Sequence, residues 1–143
     1  MPFHPGDTDT RPYLFDAAGI VAFATAAGDM NPLHHDAAIA ARSRFKTLIA
    51  SGPHMTAVLM GAGASFLSRE HEAVGLEFTF RFERAIPAGT QTTLGWTILT
   101  AEPSASLGGT LVTCEGAITG ADGRQHVFAT GKAVVWDKRL QSG

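Results

Sequence analysis

The sequence predicts an α+β domain in which an antiparallel sheet wraps around one long buried helix. Two contrasts predict it. Residues 16–67 are rich in alanine with apolar side chains at helical spacing, whereas residues 73–136 alternate and carry most of the β-branched and aromatic residues. At 143 residues the chain supports one core rather than two, so a single domain spanning 1–143 is expected.

Asp16 is placed to cap a helix over Ala17–Ala27, with Ile20, Val21, Phe23 and Ala24 at helical spacing and Gly28 where a C-terminal glycine ends it. Asn31-Pro32 blocks continuation and forces an extended turn. Asp36 can cap a second short helix reaching about Phe45. Gly52-Pro53 opens a third, because proline suits a first helical turn, and it is expected to run to about Leu67. Met55, Ala57, Val58, Leu59, Met60, Ala62 and Ala64 leave that helix no wide polar face, which predicts burial. Beyond it, Leu76, Phe78, Phe80 and Phe82 alternate with Glu77, Thr79, Arg81 and Glu83, the period of a strand. Strands over Thr92–Thr100, Thr110–Thr119 and Gln125–Trp136 follow, separated by Pro87-Ala88-Gly89, Ser106-Leu107-Gly108-Gly109 and the hairpin signal Asp122-Gly123. One buried helix followed by an antiparallel meander describes the hotdog fold. A single such sheet covers a long helix only in part, so two chains are expected to pair.

Composition narrows the function classes. Eleven basic against thirteen acidic residues give a formal charge of −2, without the basic excess that binding to nucleic acid needs. Cys114 is the only cysteine, which excludes an internal disulfide and a cysteine-built metal site. The start, Met1-Pro2-Phe3-His4-Pro5-Gly6-Asp7, lacks the basic-then-apolar pattern of a signal peptide. Apolar runs are interrupted well short of the ~18 residues that a membrane span requires. A cytoplasmic protein without a membrane partner is the expectation.

The chemistry is concentrated in Phe23-Ala24-Thr25-Ala26-Ala27-Gly28-Asp29-Met30-Asn31-Pro32-Leu33-His34-His35-Asp36. Asp29 and His34 flank a tight Asn-Pro turn, so a carboxylate and an imidazole can converge as an acid–base pair. Downstream, Ile49-Ala50-Ser51-Gly52 leads into the buried helix, whose N-terminal N–H groups favour developing negative charge. Pro53 has no N–H, which leaves Gly52 as the nearest donor.

Gly28-Asp29-Met30-Asn31-Pro32-Leu33-His34, with Phe45 and Ile49-Ala50-Ser51-Gly52, resembles the motif of the MaoC-like dehydratases and R-specific enoyl-CoA hydratases. The resemblance spans about residues 15–136. It implies a homodimer or dimer of dimers with the hotdog fold, acting on acyl-CoA or acyl-ACP thioesters without metal or organic cofactor. By position it implies Asp29 and His34 as the catalytic pair, Gly52 as the oxyanion donor, and Asn31 as a positioning residue. The implied reaction is syn addition of water to a trans-2-enoyl thioester, with Asp29 as base and His34 as acid, or the two roles shared. Two departures stand out. Ala27 occupies a position where serine is common, and Ser51-Gly52-Pro53-His54 replaces the frequent His-Gly-Met. Both bear on acyl preference, because Ser51, Met55 and Leu59 are expected to line the substrate pocket.

Simpler readings compete residue by residue. His35 is expected to be a structural neighbour, and His54 to be structural as well. A metal at His34-His35-Asp36 is unfavoured, since adjacent side chains diverge and no third ligand is evident. Ser51 lacks the surroundings of a nucleophile elbow and is read as a helix cap. Arg42, Arg44 and Lys46 are either a solvated face or contacts for coenzyme A phosphates. Cys114 is read as packing. Rival functions on the same fold are a thioesterase, which would release free thiol, and a non-catalytic acyl-binding subunit, which would not need both Asp29 and His34.

Overall fold

The computed structural model describes residues 2–137. In chain order it contains β1 (Thr8–Phe15), α1 (Ala17–Ala27), a 3₁₀ turn (Pro32–His34), α2 (Ala37–Arg42), α3 (Gly52–Ser68), β2 (His71–Phe82), β3 (Thr90–Ser104), β4 (Gly109–Gly120) and β5 (Gln125–Asp137). The strands form one antiparallel sheet in the order β1-β3-β4-β5-β2. α3 lies against the inner face of this sheet, the hotdog arrangement.

Helix boundaries follow the caps. Asp16 accepts from the Gly19 N–H at 2.7 Å, and Gly28 closes α1 in the left-handed conformation (φ 73°). α2 stops at Arg42, three residues before the expected Phe45. Ser43 turns extended there, and its hydroxyl bonds back to the Ala40 carbonyl at 2.6 Å.

β1 was not legible as a strand. Its outward positions are Thr8, Thr10, Pro12 and Leu14, and only Tyr13 and Phe15 give its inner side an aromatic character. Proline is tolerated because β1 is an edge, paired to β3 alone. In β2 a bulge between Gly75 and Glu77 shifts the alternation, so Ala73 faces the core before it and Phe78 and Phe80 after it. Leu76 and Phe82, expected to share one face with Phe78 and Phe80, are instead about half exposed.

Two large aromatics lock α3 to the sheet. The Trp96 indole N–H donates to the Leu59 carbonyl at 2.8 Å. Its ring occupies the space a Cβ would fill at Gly116 and presses on Gly63, while Phe78 packs edge-on against it at 5.9 Å. The inward side of α3 is buried through His54, Met55, Leu59, Ala62, Gly63 and Leu67. The expectation of all-round burial holds only for that side, because Ala57, Met60, Gly61 and Ala64 face out of the protomer. Among the described residues no helix is long and apolar enough to cross a membrane.

Candidate active site

Asp29 and His34 are brought together by local chain geometry. Gly28 reverses the chain after α1, with the Asp29 N–H bonded to the Ala24 carbonyl at 2.9 Å. Asp29 Oδ1 then accepts from the Asn31 N–H at 3.1 Å. Asn31 Oδ1 accepts from the Leu33 N–H at 3.1 Å and so caps the 3₁₀ turn that carries His34. His35 donates from Nε2 to the Asp29 carbonyl at 2.7 Å, pinning the loop from below. Asn31 and His35 are thus both spent on holding the loop.

His34 is tied to the segment before α3. Its Nδ1–H donates to the Ile49 carbonyl at 2.7 Å, and the Ile49 N–H returns a bond to the Leu33 carbonyl at 3.2 Å. With Nδ1 committed as donor, Nε2 is the atom left free to take or give a proton. It lies 3.7 Å from Asp29 Oδ2. That separation exceeds a direct hydrogen bond and suits two groups sharing one water. The His34 side chain is 7% exposed and that of Asp29 29%, so the imidazole is walled in while the carboxylate reaches solvent.

Gly52 is placed by the same segment. Ile49 bridges Pro87, and the Ala50 N–H donates to the Ile86 carbonyl at 2.9 Å. Ser51 is fully buried and caps α3, its hydroxyl accepting from the His54 N–H at 3.2 Å. Gly52 follows as the first helical residue, where an N–H has no carbonyl partner within the helix. It lies three residues beyond the Ile49 carbonyl that holds His34, within about 11 Å of chain reach. The ring of Phe82 borders it, 3.7 Å from where a Gly52 Cβ would sit. Met55 and Leu59 fall one and two turns farther along the buried side of α3, within the hydrophobic core. Arg42, Arg44 and Lys46 are exposed, and Lys46 has a left-handed backbone (φ 67°). Among the described residues no cluster of three or more His, Cys, Asp or Glu side chains is arranged to hold a metal ion.

Two participants were not evident from sequence. The Ile49 carbonyl carries no side-chain signal. Tyr13, on the unanticipated strand β1, reaches His54 in the first turn of α3, its hydroxyl 2.8 Å from Nε2. His54 is fully buried, and burial pushes its pKa down to about 4 against a smaller opposing pull from Asp16. Burial, with Asp16 again second, also raises the Tyr13 hydroxyl, so both groups are neutral at pH 7. A histidine with a depressed pKa contributes stability fully present above its unfolded value near 6.5 and lost as pH falls toward about 4. Urea midpoints are therefore expected to fall between pH 7 and 4 by an amount equivalent to roughly 2–3 kcal/mol. His54→Gln is expected to flatten that part of the slope.

Comparison with known proteins assigns the family. The MaoC-like domain model matches residues 5–98, about two thirds of the chain. The chain belongs to the MaoC-like domain family. No curated protein matches this chain. Among solved structures, R-hydratase PhaJ1 from Pseudomonas aeruginosa is 25% identical with TM-score 0.85, covering 95% of this chain and 84% of its own. A MaoC-like dehydratase from Rhodospirillum rubrum is 27% identical with TM-score 0.80, covering 95% and 94%. An (R)-hydratase from A. caviae involved in PHA biosynthesis shares the fold at 22% identity and TM-score 0.82, covering 92% and 96%. This MaoC-like chain carries Asp29, Asn31 and His34 inside the matched segment, and Gly52 as well.

Proposed function

We propose that this MaoC-like protein is a hydratase/dehydratase that adds water syn across the double bond of a trans-2-enoyl thioester, on coenzyme A or acyl carrier protein, giving the (R)-3-hydroxyacyl thioester. The observation that carries the reading is the 3.7 Å pairing of Asp29 Oδ2 with an His34 Nε2 freed for proton transfer by the Nδ1–H bond to Ile49. The likeness to R-hydratase PhaJ1 supports the same reaction class.

Water held between the two groups attacks C3 while Asp29 takes its proton. Electron density moves onto the thioester oxygen, where the Gly52 N–H and the N-terminus of α3 stabilise it. His34, entering as imidazolium, gives its Nε2 proton to C2. The proton on Asp29 then returns to Nε2 through the next water, which closes the cycle. Because both groups stand on one side of the substrate, water and proton arrive on the same face. Asn31 keeps the loop in shape. Ser51, Met55 and Leu59 are buried along the first turns of α3, and in this reading they back the wall of the acyl site behind Gly52.

A hydration assay with trans-2-enoyl-CoA of several chain lengths tests this. Loss of the conjugated-enoyl absorbance without free thiol is expected, and thiol release from saturated acyl-CoA would point to a thioesterase instead.

The unit is proposed to be a homodimer or a dimer of dimers. Met60 on the outer side of α3 and Val74, Leu76 and Phe82 on edge strand β2 are exposed apolar residues on neighbouring elements. A second copy covering them buries apolar area and occupies the open edge of β2. Light scattering is expected to give twice the chain mass or a multiple of it. Val74→Lys combined with Leu76→Lys is expected to shift it to the monomer.

A further inference from the structure

The first turn of α3 contains an anomaly. His54 is fully buried, its Nδ1 has no hydrogen-bond partner among the described residues, and its ring lies flat on Phe23 (4.2 Å between centroids, 7° between planes) with Phe15 at 4.8 Å. An apolar side chain there would avoid both desolvation and the unpaired nitrogen. Among the described residues the ring's hydrogen bond is that of Nε2 with the Tyr13 hydroxyl. Because a buried orphaned N–H is the costlier arrangement, the neutral ring carries its hydrogen on Nε2 and donates to Tyr13 Oη.

The neighbours of His54 explain what the contact does. Gly52 has no side chain and that of Pro53 carries no polar group, so neither side chain can hydrogen-bond the start of α3 to its surroundings. On the N-terminal side the segment is fixed by the backbone bonds of Ile49 and Ala50. On the C-terminal side the first side chain able to anchor the turn is that of His54. The Ser51 cap receives the N–H of the same residue, so the side-chain anchor and the cap meet at one position.

We propose that the Tyr13–His54 pair positions the oxyanion donor: the hydroxyl held on β1 fixes the imidazole, and through it the N–H of Gly52 two residues earlier. His54 and Tyr13 are positioning residues that act through Gly52 and touch no reacting atom. The inference rests on the proposed hydratase reading and deepens it, because it assigns the departure Ser51-Gly52-Pro53-His54 to alignment of the carbonyl.

The test uses the full chain in two settings. In the otherwise unaltered protein, Tyr13→Phe and His54→Phe are expected to lower kcat for hydration roughly 10- to 100-fold with KM nearly unchanged, the scale of a misaligned group. Tyr13→Phe removes only the hydroxyl and is expected to melt close to the wild type, so the rate loss does not follow unfolding. In an Asp29→Asn background, bound trans-2-enoyl-CoA reacts slowly enough for its spectrum to be recorded by rapid mixing, and hydrogen bonding to its carbonyl shifts the enoyl absorbance to longer wavelength. That shift is expected in Asp29→Asn alone and reduced when Tyr13→Phe is added. Wild-type kcat in both single variants, or an undiminished shift in the double variant, overturns the proposal while leaving the hydratase reading intact. Absence of hydration in the wild type and of any shift in Asp29→Asn overturns the hydratase reading, and this proposal with it.

Discussion

Asp29→Asn and His34→Ala are each expected to lower the hydration rate roughly 10²–10⁴-fold, the range for loss of a positioned acid or base. Asp29→Asn keeps an oxygen able to accept from the Asn31 N–H, so the loop is expected to hold its shape while losing its proton acceptor. His34→Ala removes Nε2 and also the bond from Nδ1 to the Ile49 carbonyl. The larger loss is therefore expected for His34→Ala, with a modest fall in thermal stability that Asp29→Asn does not share. Because the two groups act on one water, adding the second substitution to the first is expected to cost little more than the larger single effect. Steady-state kinetics of both single variants and the double variant check this, and additive losses would argue for independent roles.

Gly52→Pro carries the second large effect. Proline at the first helical position retains a compatible backbone but deletes the N–H. The expected loss is roughly 10²–10³-fold in kcat, the usual magnitude for one oxyanion donor. Gly52→Ala is the control. It keeps the N–H, and its Cβ makes only an ordinary 3.7 Å contact with the Phe82 ring, so its kcat is expected to stay much nearer the wild type. Equal losses in both variants would assign the effect to crowding beside Phe82 rather than to the missing donor.

Features with local causes are legible in the sequence. Helix α1 is bounded correctly because Asp16 and Gly28 are caps whose chemistry lies within one turn of the residues they serve. The closeness of Asp29 and His34 is legible because they are five residues apart, inside one turn-forming segment. What escapes depends on long-range pairing. β1 is polar and contains Pro12, and only its partner β3 makes it a strand. With β1 unseen, the Tyr13 contact to His54 could not be anticipated, and His54 reads as merely structural. The exposure of Leu76 and Phe82 depends on the β2 bulge and on the end of that strand, neither of which period-two alternation reveals.

The most direct measurement is the stereochemical course of hydration of a trans-2-enoyl-CoA in D₂O, read by NMR of the 3-hydroxyacyl product. Paired groups on one face predict deuterium at C2 and hydroxyl at C3 added syn, without free thiol, and the proposed reaction adds the (R) configuration at C3. Anti addition, or release of free thiol in place of hydration, would contradict the paired acid–base role of Asp29 and His34, and syn addition giving the (S) product would contradict the proposed (R) course.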